Sequence, residues 1–368
     1  MPNNNEKLMI PFTNVVNSYH KIQPEIDQAV HRVLESGSYI LGNEVKIFEI
    51  EFAKYCGVKY CIGVNSGLDA LSLVLRAWGI GSGDEVIVPA HTFIATWLAV
   101  SHTGATPVPV DIDEKTYNID PSLIEKAITS KTKAIIPVHL YGQIADMRTI
   151  NDIASNNGLK VLEDAAQSHG AELKGVKAGN FCNAAAFSFY PTKNLGAFGD
   201  GGAITTNDEN LVNKLRSLRN YGSAKKYFHD DIGYNSRLDD IQAAVLRIKL
   251  KHLDKWNHKR RKVAKYYYEN LNNLNIELPF WSGGNEHVFH LFVIQANERK
   301  ELIKRLEKNG ISTLIHYPLP PYKQPCYSNL SKQSFPNTDI LYHKIFSIPM
   351  HPYIRIREIE YICNIIND

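Results

Sequence analysis

The feature that most constrains the fold is a rhythm. From Cys61 onward short β-rich runs alternate with helical ones: CIGVN, SGLDALSLVLRAWG, EVIVPA, TFIATWLAVSHTG, TPVPVDI, LIEKAIT, KAIIPVHL, MRTINDIASNNG and KVLEDAA. Strands that each hand over to a helix pair in parallel, and helices on both faces let them be apolar throughout. An α/β fold with a mostly parallel, helix-covered sheet is expected. Two helices precede it. PEIDQAVHRVLESG places Ile26, Ala29, Val30, Val33 and Leu34 on one face and stops at Gly37, and EVKIFEIEFAKYCG repeats the pattern. AAAFSF and GAITT read as further strands, followed by a helix over DENLVNKLRSLRN. Near Leu253 the chain turns basic and aromatic (KHLDKWNHKRRKVAKYYYENL), which predicts a long helix leaving the first domain. The tail, with FHLFVIQ, ELIKRLEKNG and ISTLIHYPLPP, predicts a smaller α+β domain. At 368 residues the chain is longer than one core usually serves. The expected division is 1–250, a large domain with an N-terminal arm, and 251–368, a smaller C-terminal one.

Several function classes fall away. Lys+Arg number 41 against 38 Asp+Glu, a net charge of +3, so nothing electrostatic calls for nucleic acid or an anionic membrane. The five cysteines, Cys56, Cys61, Cys182, Cys326 and Cys363, are scattered, odd in number and form no CxxC pair. That pattern suits neither a disulfide framework nor a metal site and fits a reducing cytoplasm. MPNNNEKLMIPF lacks the basic and apolar regions of a signal peptide, and nowhere do about 18 apolar residues run together. A cytoplasmic chain is expected. The glycines at 79, 81 and 83 and at 199, 201 and 202 do not give GxGxxG, and GxxxxGK[ST] is missing.

Three local signals remain. Ser66-Gly67-Leu68-Asp69 opens a helix directly after the strand CIGVN, where free amides and the helix dipole suit a phosphate. Glu163 and Asp164 end an apolar strand, at the carboxyl edge where open α/β sheets bind ligands. Lys193 carries the only charge between Ala178 and Gly199, with Phe187, Phe189, Tyr190 and Phe198 around it in sequence. An ammonium that loses hydration there has a lowered pKa and becomes a nucleophile of the kind that forms Schiff bases. Taken singly, Ser66 is an ordinary N-cap, Asp164 caps a turn and Lys193 reaches water. Together, in that order, they match pyridoxal 5'-phosphate, which needs partners for its phosphate, pyridinium nitrogen and aldehyde.

NSGLDAL, GDEVIVPAHTFIAT, VHLYGQ, EDAAQSHGA, FSFYPTKNLGAFGDGGAITTND, GYNSRLDDIQAAVL and IHYPLPP resemble, in order and spacing, the DegT/StrS family of pyridoxal-phosphate-dependent nucleotide-sugar aminotransferases. The resemblance implies a fold type I, aspartate-aminotransferase-like large domain and a homodimer. It implies that Lys193 carries the cofactor as a Schiff base, that Asp164 pairs with the pyridinium nitrogen and that Gln167 lies against the ring oxygen. Phe93 would cover the ring face. Ser188 and the Gly67-Leu68 backbone would hold the phosphate, joined across the dimer by Asn235. Ser236-x-x-Asp239, next to that asparagine, reads as a capping box. Lysine rather than the histidine of sugar-dehydrating relatives argues for transamination, with Lys193 moving the proton as general base and acid.

The implied substrate is a nucleotide-linked keto sugar, with L-glutamate as amino donor. HTFIATWLAVSHTGATPV and VHLYGQIADM look closer to members that act at C3. The expected product is a dTDP-3-amino-3,6-dideoxyhexose for a surface polysaccharide such as a lipopolysaccharide O-antigen. Amination at C4 of a dTDP- or UDP-4-keto-6-deoxyhexose is the rival. A cofactor-binding regulatory protein without turnover and a cofactor-free nucleotide-sugar scaffold are the readings from other classes. His139, Tyr141, His316 and Tyr317 are candidates to face the sugar, and Ile94, Thr96 and His139 are candidates to flank the cofactor and set which ring carbon is aminated. Arg216, Arg219, Lys225 and Lys226 are candidates for the diphosphate.

Overall fold

The computed structural model describes residues 9–225 and 227–368. Its strands are β1 (Tyr60–Val64), β2 (Glu85–Pro89), β3 (Thr106–Val110), β4 (Thr132–Ile135), β5 (Lys160–Asp164), a small hairpin of β6 (Glu172–Leu173) and β7 (Val176–Lys177), β8 (Ala184–Ser188), β9 (Gly202–Thr206), β10 (Ile276–Glu277), β11 (Phe292–Ala296) and β12 (Ile345–Ile348). Seven of them form the central sheet in the order β1-β9-β8-β5-β4-β2-β3. From β8 to β3 every pairing is parallel, whereas β9 lies antiparallel to both β1 and β8. The α/β expectation holds, with one reversed strand. No helix separates β8 from β9, so the chain turns straight back, and that returning loop carries Lys193.

Both sheet faces are buried. Successive side chains point to opposite faces of a strand. Thus Ile62, Val64, Val86, Val88, Ala184 and Ala186 join the core under helices Gly67–Ala77 and Ala95–Ser101. Cys61, Ile87, Ala185 and Phe187 join the other core, under helices Asn43–Cys56, Met147–Asn156 and Asp240–Leu250. LIEKAIT yields only a short helix, Ile124–Ala127, because Ile128 is already extended.

The antiparallel sheet β10-β11-β12 packs with helices Leu253–Asn270, Arg299–Lys308 and Ile356–Asn367 around a third core. Ile10 belongs to that core and its amide donates to Gly310 O at 2.8 Å. We propose the domain division near residue 250; the N-terminal arm meets the smaller domain at Ile10 and then packs on the large one, where Ile22, Ile26 and Val33 lie against Ala244, Val245 and Ile248. The connection back is extensive: Tyr322 and Tyr327 sink into the core beside Trp97. The Asp111 carboxylate accepts from Asn337 N (2.9 Å), Thr338 N (3.0 Å) and Thr338 Oγ1 (2.7 Å), capping helix Pro336–Lys344. Among the described residues no helix is long and apolar enough to cross a membrane.

Candidate active site

The site lies where β5 and β8 end side by side, with Asp164 paired to Ala186 and Ser188 two residues beyond. Ser66 caps helix Gly67–Ala77 by accepting from Asp69 N at 3.1 Å, which leaves the Gly67 and Leu68 amides with no intrahelical acceptor. The helix end is pressed onto the sheet. A Cβ at Gly67 would stand 2.7 Å from Ser188 Cβ, and one at Gly202 would stand 2.4 Å from the Ser66 carbonyl carbon and oxygen. Two glycines therefore bring free amides, a helix N-terminus and the Ser188 hydroxyl together, an arrangement that favours an anion.

Asp164 is buried, and burial raises its pKa. Its Oδ2 accepts from Thr96 Oγ1 at 2.8 Å and its Oδ1 from Ala166 N at 3.2 Å, both of which favour the charged form. Thr96 is in turn 3.1 Å from Thr92 Oγ1. No cation lies within ion-pair distance of Asp164 among the described residues. Burial lowers Lys193 to about 8, against an opposing pull from Asp164. The expected ring of aromatics is not its surrounding: Phe187 and Phe189 are buried against Phe52, and Tyr190 and Phe198 are exposed. Imidazoles crowd it instead. His169, His290 and His316 all have pKa values lowered first by burial and then by the Lys193 charge.

Gln167 ties three candidates together. Its Oε1 accepts from Tyr141 N at 2.7 Å, and its Nε2 donates to Tyr317 Oη at 3.1 Å. Tyr141 Oη donates to the His316 carbonyl and lies 2.8 Å from His91 Nε2. Phe93 is half exposed, with its ring centroid 5.5 Å from that of Tyr317. An exposed aromatic beside a strand-end carboxylate and a lysine offers a ring face to a planar ligand.

Other candidates are placed elsewhere. His139 is fully buried, 3.0 Å from Glu163 Oε2, and its Nδ1 accepts from Ala145 N at 3.2 Å. Strand alternation turns Glu163 away from the face Asp164 uses, so His139 serves the core and not the sugar. Arg219 is likewise buried: its Nη1 donates to Glu49 Oε1 at 2.5 Å and Gly63 O at 2.7 Å, which corrects its assignment to the diphosphate. Arg216 and Lys225 are exposed, and Lys226 lies outside the described residues. Ile94 packs on the core, and Thr96 is spent on Asp164. Asn235 is exposed. The capping box is not made: helix Asp240–Leu250 has no side-chain cap, and Ser236 Oγ donates to Asp69 Oδ2 at 2.6 Å. A tertiary partner outcompetes the local one. His91, Thr92 and His169 were missed although they stand inside motifs, because nothing local marks a histidine or threonine as facing a site.

These residues fit pyridoxal phosphate on structural grounds. There is a cradle that any Cβ would fill, a buried carboxylate in no ion pair among the described residues, and an amine of lowered pKa. Residues 20–367 match the model of the DegT/DnrJ/EryC1/StrS aminotransferase family. The chain is 54% identical to the dTDP-3-amino-3,6-dideoxy-alpha-D-galactopyranose transaminase of Aneurinibacillus thermoaerophilus, covering 98% of this chain and 99% of that one. It superimposes on the crystal structure of S. venezuelae DesV in complex with a ketimine intermediate with a TM-score of 0.95, at 48% identity over 98% of each chain. It superimposes on Bacillus subtilis NtdA with bound cofactor PMP with a TM-score of 0.91, at 33% identity over 100% of this chain and 87% of that one.

Proposed function

Because this chain belongs to the DegT/DnrJ/EryC1/StrS aminotransferase family, we propose that it transfers an amino group from L-glutamate to C3 of a dTDP-linked 3-keto-6-deoxyhexose. The product would be a dTDP-3-amino-3,6-dideoxyhexose. The observation that carries the regiochemistry is the 54% identity, end to end, to a transaminase named for a 3-amino-3,6-dideoxy sugar. The nucleotide left in place is the leaving group a glycosyltransferase needs, and we read the product as a precursor of a surface polysaccharide made in the cytoplasm.

Bound pyridoxal 5'-phosphate supplies an aldehyde and an electron-accepting pyridinium ring. Gly67 N, Leu68 N and Ser188 would bind its phosphate. Asp164, oriented by Thr96, whose hydrogen bond favours its charged form against burial, would hold the ring-nitrogen proton. Phe93 would cover the ring. Lys193 would anchor the aldehyde and, once released, take and return a proton at Nζ, a task suited to a pKa of about 8. Gln167 would lie against the ring oxygen, and its Nε2 holds the Tyr317 hydroxyl. Asn235, exposed and free to reach beyond its own chain, would serve the neighbouring subunit's phosphate in a homodimer.

The test offers glutamate with either keto sugar and reads the product by NMR. Nitrogen at C3, at least tenfold faster from the 3-keto compound, is expected; equal rates or nitrogen at C4 would overturn the regiochemistry.

A further inference from the structure

A cavity of about 150 Å³ opens beside Lys193, between the β8–β9 loop, the N-terminal segment around Phe12 and the smaller domain. Its lining includes Lys193, Lys249, Arg260, His290, His316 and His351, and no aspartate or glutamate. Arg260 is 6% exposed and Lys249 4%. Neither forms an ion pair among the described residues, and burial alone lowers them, to about 10 and about 8. Only uncharged groups answer them among the described residues: backbone carbonyls and, for Lys249, the Phe198 ring, whose centroid lies 4.2 Å from Nζ. Arg260 Nη1 donates to Met350 O (2.9 Å), Phe289 O (3.1 Å) and His290 O (3.4 Å), and Lys249 Nζ to Gly196 O (2.6 Å). Arg260 Nε, His290 Nδ1 and His351 Nδ1 have no partner at all.

Two buried cations without a counter-charge are costly, and the cost is relieved by an anion that sits between them. We infer that this cavity is a carboxylate subsite of the amino donor, with Arg260 and Lys249 as its charges and His290 and His351 as neutral hydrogen-bond partners. The inference rests on the aminotransferase reading. Size selects the donor over the sugar nucleotide: pockets for drug-sized ligands run to about 300–1,000 Å³, and this one is smaller. Position suits the donor, since its amine must come to the cofactor carbon at Lys193. An amino acid whose carboxylate occupies the cavity is held at that lysine.

The probe is glutarate, a dicarboxylate with no amine to transfer, titrated into the holoenzyme by calorimetry, with dTDP titrated in parallel. Lys249→Met, which gives up one carbonyl bond and the contact with the Phe198 ring, and Arg260→Lys, which keeps the charge but not the fork, are compared with the unaltered chain. The expected result is a glutarate Kd at least tenfold weaker in both variants, with the glutamate KM rising in step. The dTDP Kd and the cofactor absorbance should stay within twofold. If Arg260→Lys does not fold, Lys249→Met carries the test alone. Unchanged glutarate binding in Lys249→Met would overturn the subsite, as would equal loss of dTDP binding, which would give the charges to the diphosphate. If the unaltered chain binds glutarate in this way yet aminates neither keto sugar, the functional reading fails and the subsite stands.

Discussion

At the scale of single residues, Lys193 and Asp164 define each other. Burial works on both in the direction that disfavours charge, lowering the lysine and raising the aspartate, and each partly restores the other. The cofactor-free protein therefore holds an amine whose proton leaves near pH 8, where an ordinary lysine holds it to 10.5. Losing that proton frees the lone pair, so reactivity rises with pH. Acylation of Lys193, followed by peptide mass spectrometry, should reach half its maximal rate near pH 8. A Lys193 midpoint near 10.5 would show that the side chain is solvated. The isolation of this lysine was legible in the sequence. Its true neighbours, His169, His290 and His316, come from three distant segments and were not.

At the scale of elements, the site is made by one helix end pressed against two strand ends. Gly202 cannot carry a side chain without meeting the Ser66 carbonyl, which is backbone and cannot swing aside. Gly202→Ala should destabilise the protein by about 1–3 kcal/mol in a denaturant titration and weaken cofactor binding by lifting the helix off Ser188. Gly81→Ala is the control. A Cβ there meets only Thr103 O, at an ordinary 3.5 Å, so stability should be unchanged or slightly raised. Equal effects at the two glycines would mean that the close approach does not matter. The helix and both strands were readable from periodicity. The reversal of β9 was not, because a strand's direction depends on whether its connection crosses the sheet.

At the scale of the whole molecule, Asn235 is exposed, near the start of helix Asp240–Leu250, while Lys193 sits in its own subunit's site. If two chains share each site, an inactive Lys193→Ala chain mixed with an inactive Asn235→Asp chain should recover activity, since one site of each heterodimer then holds both intact groups. No recovery despite demonstrated subunit exchange would count against sharing. What the sequence determined alone was whatever depends on local pattern: the alternation of strands and helices, the glycine and serine at a helix start, the carboxylate at a strand end, and the lone lysine between them. Tertiary structure decided what depends on which groups meet. Whether His139 faces a sugar or Glu163, whether Arg219 meets a phosphate or Glu49, and whether Ser236 caps its own helix or bonds Asp69 are contests between partners far apart in the chain. Polar groups removed from water take the partner that packing brings within reach, and packing is a property of the whole fold.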